Sequence, residues 1–182
     1  MKLIKKIKRK IKRNHNTCLY KHRCKKLNIP YVRGVYIGKN VQNWGAKVTL
    51  GENSKVHDNT IFWGDGNITI GANTSIGENS WIYASKNGGV TIGNNVNCAS
   101  HLYIIDSDHG FSDPNKLINE QPMVSKPIII GNDIWIAYNV TILKGTIIKE
   151  HSVVGACTLC NKEYPDHSVI AGNPAKLIKK IN

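Results

Sequence analysis

The 182-residue sequence has no long hydrophobic run, and no stretch approaches the about 18 consecutive apolar residues that a membrane span needs. A secretory signal is not expected, because the polar residues 14–17 stand where an apolar segment should follow the basic N-terminus. The length predicts one domain, at about 150 residues per domain, with a core that needs no disulfides. The five cysteines are an odd number, so we expect reduced thiols and a cytoplasmic protein.

Acidic side chains are scarce, with 12 Asp and Glu against 25 Lys and Arg, and residues 1–26 contain none of them. The same 26 residues hold 12 of the 25 basic side chains, so the other 156 residues have a net charge of only +1. A nucleic-acid-binding domain needs its positive charge on the folded body. We therefore predict no nucleic-acid partner.

Residues 1–13 read MKLIKKIKRKIKR and place four apolar side chains at helical spacing among lysines and arginines. This pattern predicts a short basic amphipathic helix that contacts an anionic membrane surface, at the inner face of the membrane. The alternative is a solvated tail, since four apolar residues make a weak anchor. Residues 1–34 together form a basic N-terminal arm, in which we assign no regular element to residues 14–34.

Apolar residues recur every six positions through the rest of the chain. The positions are Leu50, Val56 and Phe62, then Ile70, Ile76 and Ile82, then Ile92, Cys98 and Ile104, and finally Ile130, Ile136, Ile142, Ile148, Val154 and Cys160. Many repeats open with an apolar residue and glycine, followed two residues later by asparagine or aspartate. A six-residue period fits neither a helix nor a long alternating strand, but it does fit a short strand and a corner. The pattern predicts an all-β, parallel β-helix with Gly and Asn in left-handed corner conformations.

Two breaks in this period predict segments that leave the coil. Ten residues separate Ile82 from Ile92, which predicts a small protruding turn at residues 86–89. Twenty-six residues separate Ile104 from Ile130, which predicts a long loop over residues 106–127, and loops of that length are usually functional or disordered. The β-helix is thus expected over residues 35–173. The helix-forming, basic residues 174–182 are expected to form a short C-terminal helix.

The most specific sequence patterns lie at Ile130–Ile136, at Ala171–Lys176 and in the Asp-x-Asp-His segment of residues 106–109. Together they resemble the hexapeptide-repeat acyltransferases, above all maltose and galactoside acetyltransferases and the O-acetyltransferases of capsule and lipopolysaccharide. The resemblance covers residues 35–180. It implies a left-handed β-helix, a homotrimer with active sites between subunits, acetyl-CoA as the donor, a sugar or glycan acceptor, and no metal.

Acetyl transfer to a hydroxyl needs a base, and histidine titrates near neutrality. The resemblance implies that His109 is this base, with Asp106 or Asp108 orienting the imidazole, and His101 is a second candidate. It also implies that the backbone amide of Tyr138 binds the oxyanion of the intermediate. The sequence departs from the family here, because a small residue is usual at Tyr138, whose side chain is expected to narrow the acyl or pantetheine channel.

The resemblance assigns CoA contacts to a further set of residues. The pantetheine is expected to run along the coil edge near Ala137, Gly155 and Ala156, where Ala137 replaces the usual glycine. Trp135 either contacts the ligand or packs at a corner. Contacts with the remaining parts of CoA are expected from Asn161, Lys162, Lys176 and Lys179, with Asn161 in place of the more common threonine.

Several alternative hypotheses follow from the same residues. Cys157 and Cys160 form a CxxC pair, but Cys160 falls on the inward register and no second pair exists, so neither a metal nor a redox role is predicted. A zinc hydratase would need His57, His101 and His109 around one metal, and their spacing does not match closely grouped ligands. A non-catalytic scaffold has little reason to carry the Asp-x-Asp-His segment. A sugar amine or an antibiotic hydroxyl remains open as the acceptor.

Overall fold

The computed structural model describes residues 16–182, which form a β-helix of three sheets, A, B and C. Sheet A contains β1 (Tyr36–Ile37), β4 (Lys55–Val56), β7 (Ser75–Ile76), β10 (Asn97–Cys98), β15 (Ile134–Ile136), β18 (Ser152–Val154), β21 (Ser168–Ala171) and β22 (Lys176–Lys180). Sheet B contains β2 (Gln42–Trp44), β5 (Ile61–Gly64), β8 (Trp81–Ala84), β11 (Tyr103–Ile105), β16 (Thr141–Leu143) and β19 (Leu159–Cys160). Sheet C contains β3 (Lys47–Leu50), β6 (Asn67–Ile70), β9 (Val90–Ile92), β14 (Ile128–Ile130), β17 (Ile147–Ile148) and β20 (Glu163–Tyr164). The basic segment 1–13, predicted to contact membranes, lies outside the described residues.

The chain visits sheets A, B and C in turn, and each coil stacks in parallel on the one before it. The hexad positions predicted to point inward are all buried, and they stack in register: Phe62 pairs with Ile82, Ile82 with Ile104, and Ile104 with Ile142. Each such side chain contributes about 1.5–3 kcal/mol through burial. The predicted six-residue period therefore forms one continuous core along the axis.

Asparagines occupy the left-handed positions at corner AB, where the chain passes from sheet A to sheet B. Asn40, Asn59 and Asn79 have φ of 52°, 59° and 56°. Their amides also form a ladder, in which Asn40 Nδ2 donates to Asn59 Oδ1 (3.2 Å) and Asn59 Nδ2 donates to Asn79 Oδ1 (3.1 Å). The prediction for asparagine is confirmed, because this residue tolerates left-handed angles and hydrogen-bonds locally.

The glycines of the repeats have a different role from the predicted one. Gly71 and Gly77 do not adopt left-handed angles; they lie where adjacent coils approach most closely. A Cβ on Gly71 would lie 2.5 Å from the carbonyl carbon of Gly93, and one on Gly77 would lie 2.4 Å from that of Ala99. Glycine is therefore required at these positions by backbone contact between coils rather than by φ.

Residues 16–26 form a helix, α1, within the segment to which no regular element was assigned. It ends in a Schellman motif, because Asn28 has φ of 55° and the Ile29 N–H donates to the Cys24 carbonyl (2.9 Å). Cys24 and Ile29 are buried against the first coil, so residues 16–34 of the predicted arm belong to the folded body. Within residues 16–182, no helix is both long and apolar enough to span a bilayer.

The helix predicted for residues 174–182 is wrong. The chain turns at Gly172, with φ of 106°, and returns as β22, which pairs antiparallel with β21 at the edge of sheet A. The composition of Lys176–Lys180 suits a helix, but the unpaired edge of β21 offers a ladder of hydrogen bonds instead. The strand therefore covers the last edge of sheet A.

Candidate active site

The long loop predicted at residues 106–127 is present and begins and ends as an antiparallel pair, β12 (Ser107–Asp108) and β13 (Val124–Ser125). His109 directly follows β12. The next residue, Gly110, donates its N–H to the Pro122 carbonyl (3.1 Å), and a Cβ on Gly110 would lie 2.6 Å from that oxygen. The backbone of His109 is thus fixed on both sides, while its imidazole is exposed.

The tip of the loop is held by the largely buried Gln121. Its Oε1 accepts the N–H of Asp113 (3.0 Å), and its Nε2 donates to the carbonyls of Asp113 (3.0 Å) and Lys116 (3.2 Å). A short 3-10 turn, Ile118–Glu120, precedes this residue. The loop is thereby closed on itself and forms a wall beside His109.

His109 lies between two clefts. One, of about 390 Å³, is lined by sheet B side chains that include Trp63 and Tyr83, and by Met123 of the loop. The other, of about 570 Å³, is lined by residues 116–119 of the loop tip. An imidazole between two clefts can contact two substrates, as group transfer requires. Trp63, Tyr83 and Met123 were not among the predicted site residues, because only the coil stacking and the returning loop bring them to His109.

The two carboxylates predicted beside His109 have partners of their own. Asp108 Oδ2 lies 2.5 Å from Nζ of Lys144, whose side chain is only 19% exposed. Asp106 is fully buried and accepts the N–H of Ser85 (2.9 Å) and that of Gly89 (2.5 Å). Within residues 16–182, neither carboxylate hydrogen-bonds to His109. Lys144 was missed because nothing in the hexad pattern distinguishes it from a solvated lysine.

Asp106 therefore joins the loop to the small turn predicted at residues 86–89, which the structure contains. The contact is tight, because a Cβ on Gly88 would lie 2.2 Å from Oδ2 of Asp106. A hydrogen bond between Ser85 Oγ and Ser125 Oγ (2.9 Å) reinforces it. The turn and the loop thus form one rigid support under β12.

Tyr138 lies at corner AB, between β15 and β16, and its ring packs 5.1 Å from that of His101. The preceding Ala137 N–H donates to the Val154 carbonyl (2.9 Å), which fixes the corner. The Tyr138 N–H has no acceptor among residues 16–182, and the residue is 51% exposed. This amide can therefore donate to a ligand.

The predicted CoA residues fall into separate groups. Ala137 and Tyr138 adjoin Gly155 and Ala156 at corner AB, in two successive coils. Asn161 and Lys162 lie across sheet B at corner BC, the corner from which the long loop leaves, and Lys162 Nζ is 5.9 Å from the centre of the Tyr164 ring. Lys176 and Lys179 are exposed residues of β22 on sheet A.

Trp135 points outward from the middle of β15 and is 54% exposed, so it does not pack at a corner. Its neighbours in sheet A are Asn97 and Val153. The position leaves its ring free to contact a ligand that follows the edge of the coil.

None of the five cysteines is paired in a disulfide within residues 16–182. Cys157 is exposed at corner AB, whereas Cys160 points into the core, where burial raises its pKa to about 12. The CxxC pair therefore does not present two thiols to one ligand. His57 hydrogen-bonds to Ser75 (3.2 Å), and residues 16–182 contain no cluster of three His, Cys, Asp or Glu side chains suited to a metal.

No protein-family model matches the chain. The chain is 36% identical over 151 residues to WbbJ of Escherichia coli K12, which is named for O-acetyl transfer in lipopolysaccharide biosynthesis; the match covers 78% of this chain and 76% of WbbJ. It is also 36% identical over 134 residues to galactoside O-acetyltransferase of E. coli K12, covering 74% of this chain and 64% of that protein. A solved structure of the D94N mutant of AntD, an N-acyltransferase from Bacillus cereus, in complex with dTDP and coenzyme A, matches with a TM-score of 0.65 at 21% identity, over 81% of this chain and 84% of that one.

Proposed function

Because the chain belongs to the hexapeptide-repeat acyltransferase family and shares its left-handed β-helix, we propose that it moves an acetyl group from acetyl-CoA to a hydroxyl of a sugar. The observation that carries this proposal is the position of His109 between two clefts at the base of the long loop. The names of two relatives support glycans as acceptors, since one refers to lipopolysaccharide and the other to galactosides. The acceptor we infer is a precursor of a surface polysaccharide or lipopolysaccharide.

In the proposed reaction, neutral His109 takes the proton of the acceptor hydroxyl as its oxygen attacks the thioester carbon. The tetrahedral intermediate then collapses, the carbon–sulfur bond breaks, and the CoA sulfur leaves with the proton that His109 carried. General-base catalysis of this kind contributes about 10²–10⁴-fold. The exposed imidazole on a fixed backbone suits this shuttle, because His109 lines both clefts.

Asp108 and Asp106 act in this proposal as positioning residues. The pair of Asp108 with Lys144 fixes the end of β12, and the bonds of Asp106 to Ser85 and Gly89 fix its start. Both hold the backbone that carries His109. Neither needs to contact the imidazole.

The oxyanion of the intermediate is proposed to bind the free N–H of Tyr138. Tyr138 and His109 lie beyond opposite ends of the sheet B strands, at corner AB and at the loop that leaves corner BC. The proposal therefore includes a homotrimer in which corner BC of one copy meets corner AB of the next. Closed rotational symmetry then builds three identical sites. The ring of Tyr138 would line the acyl end of each site.

Acetyl-CoA is proposed to follow corner AB. The small residues Ala137, Gly155 and Ala156 leave the backbone accessible to the pantetheine, and Trp135 flanks the same edge of the coil. The phosphates are assigned to lysine ammonium groups, which attract them as point charges. The residues concerned are Lys176 and Lys179 of β22 in the copy that supplies corner AB, and Lys162 with Asn161 at corner BC of the neighbouring copy.

We also propose that the enzyme works in the cytoplasm and contacts the inner face of the membrane through residues 1–13. Their lysines and arginines would be attracted to anionic lipids at about 1 kcal/mol each. Such a contact would bring the site close to an acceptor carried on a membrane lipid.

The proposal is tested by incubating the purified protein and acetyl-CoA with a panel of sugars, aminosugars and nucleotide sugars while following the release of free CoA thiol. We expect release that depends on a sugar and a product whose acetyl group is removed by hydroxylamine, as an ester requires. Release with an aminosugar and a hydroxylamine-resistant product would assign an amine acceptor instead. Absence of acceptor-dependent release across the panel would contradict the proposed function.

A further inference from the structure

Helix α1 covers the N-terminal end of the β-helix. The strands β1, β2 and β3 are each the terminal strand of their sheet, so the first coil would otherwise leave the core open at this end. Cys24 of α1 is fully buried in that core. The Arg23 guanidinium donates to the Ile37 carbonyl of β1. Asn43 Nδ2 of β2 donates to the Leu27 carbonyl that follows α1 (2.8 Å). The side of α1 that faces away from Cys24 therefore forms the outer surface of this end of the molecule.

This outer surface is strongly basic. Residues 16–40 contain six Lys and Arg and no Asp or Glu, whereas residues 41–182 contain 11 Lys and Arg and 12 Asp and Glu. Three of the six basic residues, Lys21, Lys25 and Lys26, are exposed on α1. We call the exposed face of α1 that carries these three lysines the basic pole. The positive charge of the folded body is thus concentrated at one end, and the remaining coils have a net charge of −1.

The basic pole stays accessible in the proposed homotrimer. Each corner is a column that runs along the coil axis, because the coils stack in register. Copies that meet along the columns of corners AB and BC around a three-fold axis lie side by side, with their coil axes in the same direction. The three basic poles therefore lie on one side of the assembly, at the end of the columns rather than between them.

The rest of the N-terminal sequence joins the molecule at this pole. Residues 1–15 precede α1 directly and contain eight Lys and Arg and no Asp or Glu. Like charges repel, so this segment is a poor occupant for the basic pole. It adds instead to the positive potential on the same side of the assembly, which points to an extended anionic surface as the partner.

An apolar side chain among the lysines favours a lipid surface over a nucleic acid. Leu19 is 36% exposed on α1. Lysine side chains place their apolar stems beside such a residue and keep the ammonium group in water, as in helices that lie at the surface of a bilayer. A nucleic-acid duplex offers phosphates to the lysines but no apolar layer to Leu19.

We propose that the basic pole binds the phosphate headgroups of an anionic bilayer and holds the coil axis upright on it. This inference extends the membrane contact proposed for residues 1–13 to the folded body. The two contacts act together, because stable anchoring at a bilayer surface takes two signals. The folded contact also fixes an orientation, which a basic segment alone does not.

The orientation sets the height of the active sites above the bilayer. In sheet A, three strand spacings separate β1 from β10, so the coil that leads to His109 stands about 14 Å from the first coil. All three sites of the trimer lie at the same height. An acceptor carried on a lipid of the same bilayer is then within their reach.

The first test is co-sedimentation of the full chain with vesicles of phosphatidylglycerol or phosphatidylcholine. Lys25→Ala with Lys26→Ala should weaken binding to phosphatidylglycerol about tenfold, because lysines near an anionic surface attract its lipids. Alanine keeps α1 helical, and Lys25→Arg with Lys26→Arg should bind like the wild type. Lys86→Ala with Lys149→Ala is the matched control, since it removes the same charge from exposed positions in later coils and should change nothing.

The second test measures orientation with a dye whose emission shifts to the blue in apolar surroundings. Cys18 is exposed on α1, and a label on it in a Cys157→Ser chain should shift when vesicles of phosphatidylglycerol are added. The same label at Glu150→Cys, in a chain with Cys18→Ser and Cys157→Ser, should not shift. Glu150 is exposed at the corner between sheets C and A, four coil spacings from the first coil.

Unchanged vesicle binding by Lys25→Ala with Lys26→Ala would overturn the inference, and so would an equal loss in the matched control. Equal dye shifts at both positions would contradict the upright orientation. Tighter binding to a DNA duplex than to phosphatidylglycerol, with the same dependence on the two lysines, would assign the basic pole to nucleic acid instead. A smaller light-scattering mass of the variant would assign it to a contact between copies.

These outcomes are separable from the proposed function, because vesicle binding is measured without acetyl-CoA. Acetyl transfer to sugars without any effect of the basic pole on vesicle binding would remove only this inference. Vesicle binding that depends on the basic pole, without acetyl transfer, would remove only the enzymatic proposal. Binding that is lost on deletion of residues 1–13 but is unaffected by the two lysines would leave the membrane contact to that segment alone.

Discussion

Within one chain, Tyr138 and His109 lie beyond opposite ends of the sheet B strands. Tyr138 follows β15 at corner AB, whereas His109 follows β12 in the loop that leaves corner BC. The chain crosses sheet B between the corner that holds the proposed oxyanion donor and the corner from which the loop with the proposed base leaves. We therefore propose that a neighbouring copy supplies one of the two groups.

This relationship predicts an active trimer, with a light-scattering mass of about three times 20.2 kDa. It also predicts complementation between two inactive variants. His109→Ala removes the proposed base, and Ala137→Trp places an indole at corner AB, where acetyl-CoA is proposed to bind. Subunits unfolded, mixed in equal amounts and refolded together should regain about a quarter of wild-type activity, because that share of sites combines two intact halves. A mixture as inactive as its parents, or a fully active monomer, would contradict the shared site.

The pair of Asp108 and Lys144 predicts a positioning effect on catalysis. Lys144→Ala should lower kcat by about tenfold, because β12 loses its anchor next to His109. Lys144→Arg should restore the rate. Lys149→Ala, which breaks the exposed pair with Glu163, should leave kcat unchanged and serves as the control.

Deletion of residues 1–13 should leave the activity on soluble sugars intact, because those residues lie outside the hexapeptide repeat. Binding of the full chain to vesicles that contain anionic lipid should be lost on deletion and should weaken with salt, as screened charges require. Co-sedimentation with vesicles of phosphatidylglycerol measures both effects. Equal vesicle binding by the truncated and full chains would remove the membrane proposal.

The buried thiols predict a loss of stability at alkaline pH. Burial raises the pKa of Cys98 and of Cys160 to about 12, above the ordinary 9.0. The unfolded chain therefore loses these protons before the folded chain does, so the stabilisation is complete below pH 9 and falls as the pH rises toward 12. Each thiol should contribute a slope of about 1.4 kcal/mol per pH unit in that range.

Urea unfolding at pH 7.5, 9 and 10.5 measures this slope. The double variant Cys98→Ala and Cys160→Ala should start less stable at pH 7.5, because it loses buried volume, but it should decline less steeply than the wild type. If the free energy of unfolding falls with pH at the same slope in both proteins, the thiols do not titrate as burial requires.

The core and the corners were predictable because one local rule repeats along the chain. Every coil needs an inward-pointing apolar residue at each sixth position. The run from Ile130 to Cys160 therefore specifies its own stacking. The same rule could not predict β22, because the helix-forming composition of Lys176–Lys180 is overridden by the open edge of β21. Helix α1 was missed although Asn28 and Pro30 mark its end, since its buried face becomes apparent only against the first coil.

The site was predictable in its location and less so in its contacts. The length of the gap between Ile104 and Ile130 predicted a loop that begins just before His109. The partners of Asp106 and Asp108 depend on how that loop crosses the turn at residues 86–89 and on where Lys144 lies in the next coil. Neither relation is local in sequence, so the spacing of the two carboxylates carried no information about them.

The most direct test of the account is the steady-state kcat of His109→Ala with its preferred sugar acceptor, with His22→Ala on α1 and His101→Ala as comparisons. We expect kcat to fall by about 10²–10⁴-fold for His109→Ala alone, with unchanged acetyl-CoA affinity, circular dichroism and trimer mass. Near wild-type turnover by His109→Ala would contradict the account, and loss of turnover in His101→Ala instead would assign the base to that residue.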